Sequence, residues 1–368
     1  MSEFRVPWLL LAIGIPAVAA VLLSQVKDGQ RAKQGCLWAL GLSLAATIAE
    51  WIEFSQLHAN QAHDRWDVVA WLIGFEVLVV DRFSAPLLGL HALYSFLLVL
   101  ATMRTKISRV SFGQLLAAHV VHQLMFSVNH PVILLVLAAV NLSFPWYELR
   151  MRGKGTRVFL VHAVVLLVCL SLGYGMARIG ESNVILASVG HGLLVLGLMA
   201  RCWTIPFHCG LVDLYDRMGF GSAILFSAVM VGPYLAIRLG LPVLPDWSMQ
   251  VLAFFGLLTA AYSASMALVQ TDVRRVFCYL FLGHGSLILV GLETGTAAGV
   301  AAALGLWLGS SIAVVGLGLT LRSLEARFGR LSLAEFKGYY EHVPQLASLC
   351  VVTGLALVGF PGTVGFVA

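Results

Sequence analysis

The chain has 368 residues, of which 60% are apolar and only 11% charged, and its mean hydropathy is +0.90. Such a composition excludes an ordinary soluble domain and points to an all-α, polytopic membrane body. The net charge of +5 comes from bases in short loops, which fits a lipid bilayer as partner and not a nucleic acid.

Pro7–Gln25 is the first apolar run, expected as a span and not as a cleavable leader, because no small-residue cleavage site follows it. Further spans are expected at 34–55, 84–103, 111–128, 131–147, 158–177, 184–203, 220–240, 249–269, 275–292, 297–320 and 345–367, about twelve in all. Segment 66–81, with Glu76 and Asp81, is too short to span and reads as interfacial or re-entrant. Alternate loops differ sharply in charge. Seventeen bases fall in the loops after the first, third, fifth, seventh, ninth and eleventh spans, against five in the others. By the positive-inside rule the N-terminus is outside and the protein sits multi-pass in a cell's inner membrane. The longest inner loop, 321–344, is expected to carry an amphipathic surface helix at Leu331–Tyr340.

The apolar runs are interrupted by ionisable groups, which within hydrocarbon mark candidate ion or proton paths. His119 and His122 are three residues apart, on one helical face, where imidazoles can pass a proton. His162 and His191 also lie within spans. Arg201 and His208 flank Pro206, which breaks the helix ladder and frees carbonyls for water or an ion. Asp272 opens a span beside Arg274 and Arg275, a pattern that serves equally as an interface anchor. His284 stands between glycines, and Gly359–Gly365 is a second helix break. Glu50 and Glu53 end the second span and read as solvated.

The six cysteines are scattered, with no CxxC pair, and no P-loop, GxSxG, HExxH or dinucleotide fingerprint occurs. No cofactor, catalytic residue or bound metal is therefore expected.

Four blocks resemble one family, the antiporter-like membrane subunits of NADH-quinone oxidoreductase and their relatives in Mrp antiporters and inorganic-carbon-uptake complexes. They are Val80-Asp-Arg-Phe-Ser-Ala85, Pro206-Phe-His208 with Asp213, Gln270-Thr-Asp-Val-Arg-Arg-Val-Phe-Cys-Tyr279, and Gly359-Phe-Pro-Gly-Thr-Val-Gly-Phe366. The third is the most specific. The resemblance covers 80–368 as an antiporter-like domain, with 1–79 as added N-terminal helices.

The resemblance implies a proton- or cation-conducting subunit of a larger energy-coupling complex, at most a non-catalytic part of an enzyme. It implies partner subunits in the membrane. Family members use a central row of Glu and Lys residues. Here the fifth-helix Glu falls near Val132, with only His130 close by, the seventh-helix Lys falls on Arg201, and the eighth-helix base falls near Phe226. The eleventh-helix His and Lys fall near Ser311 and Val314, whereas His284 matches a His of some members. The last charged position would fall just past Ala368, and one or more of the family's C-terminal spans are expected to be missing or to lie outside this sequence. These departures leave two alternatives: a non-conducting membrane scaffold, or the membrane half of a bicarbonate or CO2 uptake complex with a soluble zinc-bearing partner.

Overall fold

A computed structural model describes residues 2–66, 71, 77–180, 183–228, 230–335 and 337–367. Most of expected segment 66–81, including Glu76, lies outside the described residues. The elements are β1 (Ser2–Phe4), α1 (Trp8–Ser24), α2 (Gly29–Leu57), β2 (Gln61–Asp64), β3 (Val80–Asp81), α3 (Ser84–Leu100), α4 (Phe112–Ser127) and α5 (Pro131–Met151). They continue with α6 (Arg157–Ile179), α7 (Val184–Arg201), α8 (Cys209–Arg217), α9 (Phe220–Ala228), α10 (Val231–Leu235), α11 (Asp246–Val269), α12 (Val273–Glu293), α13 (Ala297–Phe328), α14 (Tyr339–His342), α15 (Pro344–Val358) and α16 (Val364–Val367).

The chain is an all-α polytopic membrane protein. Among the described residues each of the twelve expected segments is largely helical, 220–240 and 345–367 with interruptions, and eight helical stretches, the interrupted 220–240 included, are long and apolar enough to cross a bilayer, with three shorter apolar helices, α1, α3 and α15. Their outward residues are apolar too. On α6, Val161, Val164 and Leu172 are each more than half exposed, a pattern that a soluble helix would not tolerate over such a length.

The chain packs as two compact units, Met1–Phe144 and Pro145–Ala368, a division distinct from the one at residue 80 that motif coverage suggests. In the first unit α1 packs on α2 and α4, and α2 and α4 also pack on α3. A small sheet, which the hydropathy pattern did not foretell, caps the unit. β1 pairs parallel with β2, and β2 antiparallel with β3, with Ser2 opposite Ala62 and Gln61 opposite Asp81. Asp64, on β2, accepts bonds from the Leu9 and Leu10 N–H groups, satisfying the start of α1.

In the second unit α6 and α7 are the tightest pair. A Cβ added to Gly173 would sit 2.3 Å from the Leu194 amide nitrogen, and one added to Gly190 would sit 2.4 Å from that of Ala177. Small residues let the two backbones touch, which is how helices associate where no hydrophobic force acts between them. Gly175 has nothing within 4 Å and takes no part in this contact.

A charged network closes one end of the same unit. Asp272 caps α12 by accepting bonds from the Arg274 and Arg275 N–H groups, and Arg330 Nε donates to it at 2.6 Å. Asp216, on α8, accepts from Arg275 and Arg330 at 2.7 Å each. Arg274 pairs with Glu325, on α13. Loops assigned to one side by their charge thus meet at one end of the unit. The expected surface helix at Leu331–Tyr340 is not found. Leu331 and Leu333 pair instead with Val273 and Thr271 through their backbones, and helix appears only at Tyr339–His342. An extended backbone there lets Arg330 reach both carboxylates.

Two outcomes follow. Gly173→Ala and Gly190→Ala should each destabilise the protein by about 1–3 kcal/mol, because the added methyl meets fixed backbone. Gly175→Ala should be neutral or slightly stabilising. Thermal melting of the purified variants in detergent, read by the loss of monodisperse protein, checks the contrast.

The second concerns pH. Burial alone would raise the Asp272 carboxyl, but the bond and charge of Arg330, with the Arg275 and Arg274 N–H groups, outweigh it and hold the group below its ordinary value. Its stabilisation is therefore complete above the unfolded value near ~3.9, and disappears as pH falls through the folded value. Arg330→Gln should lower stability at neutral pH by less than about 1 kcal/mol, since the pair is partly exposed. Urea titrations of both proteins should converge in acid. A difference that persists unchanged there would show that the pair is not responsible.

Candidate functional site

Two polar regions interrupt the apolar interior, one in each unit. The first is built on α2, α3, α4 and α5. His119 is fully buried between two hydroxyls: its Nε2 lies 3.2 Å from Ser43 Oγ, and its Nδ1 lies 3.0 Å from Ser95 Oγ. Ser43 donates its only proton to the Ala12 carbonyl at 2.7 Å. Its oxygen must then accept, which assigns the His119 proton to Nε2 and makes Nδ1 the acceptor of the Ser95 hydroxyl. His122, one turn on, meets the Asn141 amide at 2.8 Å through Nε2.

The sequence reading missed the third member. His91, on α3, stacks on His119 with ring centroids 4.9 Å apart and lies 4.9 Å from His122. It is 2% exposed, and its ring nitrogens make no hydrogen bond of good geometry among the described residues, although the His119 backbone is close enough to interact. The one signal in the sequence was a lone His in an apolar run, without the spacing that singled out the other two. His91 thus brings three buried imidazoles together, stacked on His119 and tilted against His122. They do not form a metal centre: both His119 nitrogens are occupied by serines, and no metal-holding group is found among the described residues. His130 sits apart in sequence, half-buried just before α5, its carbonyl accepting the Leu134 N–H.

The second region surrounds Arg201. The helix ends at this residue as expected, and an irregular turn leads to α8 at Cys209. Trp203 takes a left-handed φ of +58° and the Ile205–Pro206 peptide is cis. The freed backbone is satisfied locally. The Thr204 N–H bonds the Met199 carbonyl, and the Ile205 N–H reaches the Thr259 hydroxyl on α11 at 2.9 Å. Arg201 is 3% exposed, with its guanidinium 5.3 Å above the Phe226 ring. His162 lies flat on Trp203 at 4.2 Å and within electrostatic range of Arg201.

Opposite this turn lies a discontinuity that was expected to be a straight span, 220–240. Helix α9 stops at Ala228, Met230 has φ +47°, and α10 begins at Val231 before a π-turn at Ala236–Gly240. Gly232 and Pro233 were the legible signal. The two breaks touch: a Cβ on Gly232 would lie 2.7 Å from Cys202 Sγ and 2.9 Å from the Arg201 carbonyl. Between them is a cavity of about 20 Å³ lined by Arg201, Trp203, Ser227, Met230 and Gly285, room for about one water. The Gly359–Gly365 break is also present, with Gly359 at φ +74° between α15 and α16.

The structure therefore does not gather the remaining candidates into one site. His208 lies half-buried beyond the turn, its ring edge-on to Tyr262 at 4.8 Å. His284 is half-buried on α12, next to the cavity-lining Gly285. Asp272 is committed to Arg330 and its helix cap. Glu50 is not solvated as expected but 1% exposed, whereas Glu53 accepts bonds from the Arg5 N–H and Trp8 Nε1.

Chemically the two regions differ. The imidazole cluster consists of groups that can gain and lose protons. Arg201 is a permanent charge that can order water and set a field, but hardly gives up a proton.

The family described as NADH:quinone oxidoreductase/Mrp antiporter, TM, matches residues 156–368. A NAD(P)H-quinone oxidoreductase chain 4 of Nostoc sp. is 24% identical over the whole chain, which covers 74% of that relative. The Mrp complex of Dietzia sp. contains a chain that superposes with a TM-score of 0.83 at 20% identity, over 98% of this chain and 72% of that one. Respiratory complex I of Thermus thermophilus contains another, with a TM-score of 0.82 at 23% identity, over 97% and 80% of the two chains. With discontinuous helices packed around a buried basic residue where the family motifs fall, the chain belongs to the NADH:quinone oxidoreductase/Mrp antiporter family of membrane subunits.

Proposed function

We propose that this chain is a proton-conducting, antiporter-like subunit of a larger membrane complex, in which conduction runs over histidines and internal water while Arg201 supplies a fixed field. The observation that carries the reading is the cluster of His91, His119 and His122, three buried imidazoles in ring contact beside the hydroxyls of Ser43 and Ser95. Imidazole relays a proton by taking it on one nitrogen and releasing it from the other, and His119 has a hydroxyl partner on each. Arg201, His208 and His284 extend polar surface through the second unit. Asp272 serves as an anchor of the charged end, and His130 as a flanking group. On this reading the partners are other subunits of a membrane complex in the inner membrane; the superposable chains, from an Mrp complex and respiratory complex I, support the partnership with further subunits.

Proton flux into liposomes containing the purified chain, driven by a potassium diffusion potential, tests the reading. The paired change His119→Ala and His122→Ala should lower flux by about 10²-fold, the scale on which a positioned proton-transfer group acts. Arg201→Lys should retain flux better than Arg201→Ala, which leaves an uncharged hole where a buried charge organises its surroundings. Absence of flux in the unmodified protein, alone and with its complex, would give the molecule to the scaffold reading. That reading draws on one specific feature, a lysine of the family replaced by the non-titrating Arg201.

Orientation is a separate proposal. The meeting of loops 209–217, 270–275 and 322–333 in one charged network supports their common side. The excess of bases makes that side the cytoplasm, with the N-terminus outside. A cysteine placed at Lys154 should react with a membrane-impermeant reagent only in inside-out vesicles. Reaction in right-side-out cells would reverse the topology.

A further inference from the structure

The first unit holds a second buried group that neither the family motifs nor the histidine spacing points to. Glu50 lies on α2, 1% exposed, and neither carboxyl oxygen has a hydrogen-bond partner among the described residues. Its charged neighbour is another acid, Asp64, which is 3% exposed and already holds the start of α1. Glu53, one turn away, is turned to Trp8 and the Arg5 backbone. A buried carboxylate with no cation and no hydrogen bond is strongly disfavoured. The site is built for a carboxyl that carries a proton, not for a fixed charge.

Its position on the helix gives that proton somewhere to go. Ser43, Thr47 and Glu50 fall at i, i+4 and i+7, one stripe of α2, and all three are buried. The far end of the stripe, Ser43, is the residue that accepts the Nε2–H of His119. Seven residues of helix separate Glu50 from Ser43, about 10 Å at 1.5 Å each, a gap that a few waters bridge. Beyond His119 the rings of His91 and His122 continue inward. His91 shares with Glu50 the property of a buried polar group that the protein leaves unbonded among the described residues. Polar groups in such places are normally bonded to ordered water.

We infer that Glu50 is the proton-exchanging end of a buried chain, Glu50–Thr47–Ser43–His119–His91–His122, that lies wholly within the first unit. The inference rests on the conducting role proposed above. In one transfer His119 accepts a proton at Nδ1 from the Ser95 side and releases its Nε2–H to Ser43, and a proton passes on through Thr47 and water to Glu50, whose carboxyl has given up its own proton on the far side. No bond other than O–H and N–H bonds forms or breaks, and no co-reactant is needed.

The full chain in liposomes, driven as above, is compared with Glu50→Gln and Glu50→Asp. Glutamine keeps the shape and cannot carry the proton, so flux should fall by about 10²-fold, while aspartate should retain a measurable part of it. Equal flux in Glu50→Gln and the unmodified protein would overturn the inference while leaving conduction itself standing. Infrared spectra of the same samples give a reading that does not need conduction. A carboxylic-acid C=O band that shifts on exchange into D2O, and is missing in Glu50→Gln, is expected. Its absence from the unmodified protein overturns the inference. Its presence in a protein that shows no flux keeps Glu50 as a proton-exchanging group and rejects only the conducting role on which the chain was premised.

Discussion

Hydrocarbon offers no hydrogen bonds to a peptide backbone, and the rest of this structure depends on how the chain meets that constraint. Mostly it does so with uninterrupted helices. Where helices stop at membrane depth, protein groups replace the lost partners. The Thr259 hydroxyl takes the Ile205 N–H and donates its own proton to the Phe255 carbonyl, so one side chain serves two backbone groups. The break after Arg201 and the one before Val231 lean on each other, with Gly232 set against Cys202. Two interruptions that would each be unfavourable alone thus share a small polar cavity. Gly173 and Gly190 act from the other direction, letting α6 and α7 approach until their backbones touch, so that α7 is held firmly up to its broken end.

Within this frame, each unit holds its own buried polar groups. The first holds imidazoles and a carboxyl, which can change charge, linked by hydroxyls, which cannot. The second holds a permanent guanidinium at Arg201, with aromatic rings from Phe226 and, through His162, Trp203. A ring face is a favourable neighbour for a buried cation. The permanent charge of Arg201 thus lies in the second unit, beside the imidazole of His162, while the imidazole cluster and Glu50 lie in the first, an arrangement unlike the row of Glu and Lys that the family resemblance implies. A network of partly exposed ion pairs lies elsewhere again, among Asp216, Asp272, Arg275 and Arg330 at the charged end, where it links helix termini.

The limits of sequence reading show in particular residues. Pro206 announced its break, since proline removes a backbone donor wherever it falls. Gly232-Pro233 carried the same signal, but the apolar run around it was long enough to pass for one span. His119 and His122 were visible as a pair because helical spacing puts them on one face. His91 was not, because its partnership crosses between helices and leaves no period in the chain. Glu50 was misjudged for a related reason. Proximity to the end of an apolar run suggested water, yet the small sheet at Ser2–Phe4, Gln61–Asp64 and Val80–Asp81 belongs to the cap of this unit. Those short strands have no hydropathy signature of their own. Leu331–Tyr340 shows the converse error: an amphipathic pattern suited to a helix was overridden by backbone pairing with Thr271 and Val273.

By itself, then, the sequence determined the membrane class, the apolar helical segments, the charge bias between alternate loops and the helix breaks at Pro206 and Gly359–Gly365, because each follows from local composition and from residues that cannot hydrogen-bond or that relax φ. Only the tertiary structure decided which buried groups meet. It placed His91 on His119, put Glu50 at the end of a hydroxyl stripe, set one helix break against another around Arg201, and gave Asp272 to Arg330. Such meetings depend on which faces of distant segments pack together, and that is a property of the folded chain as a whole.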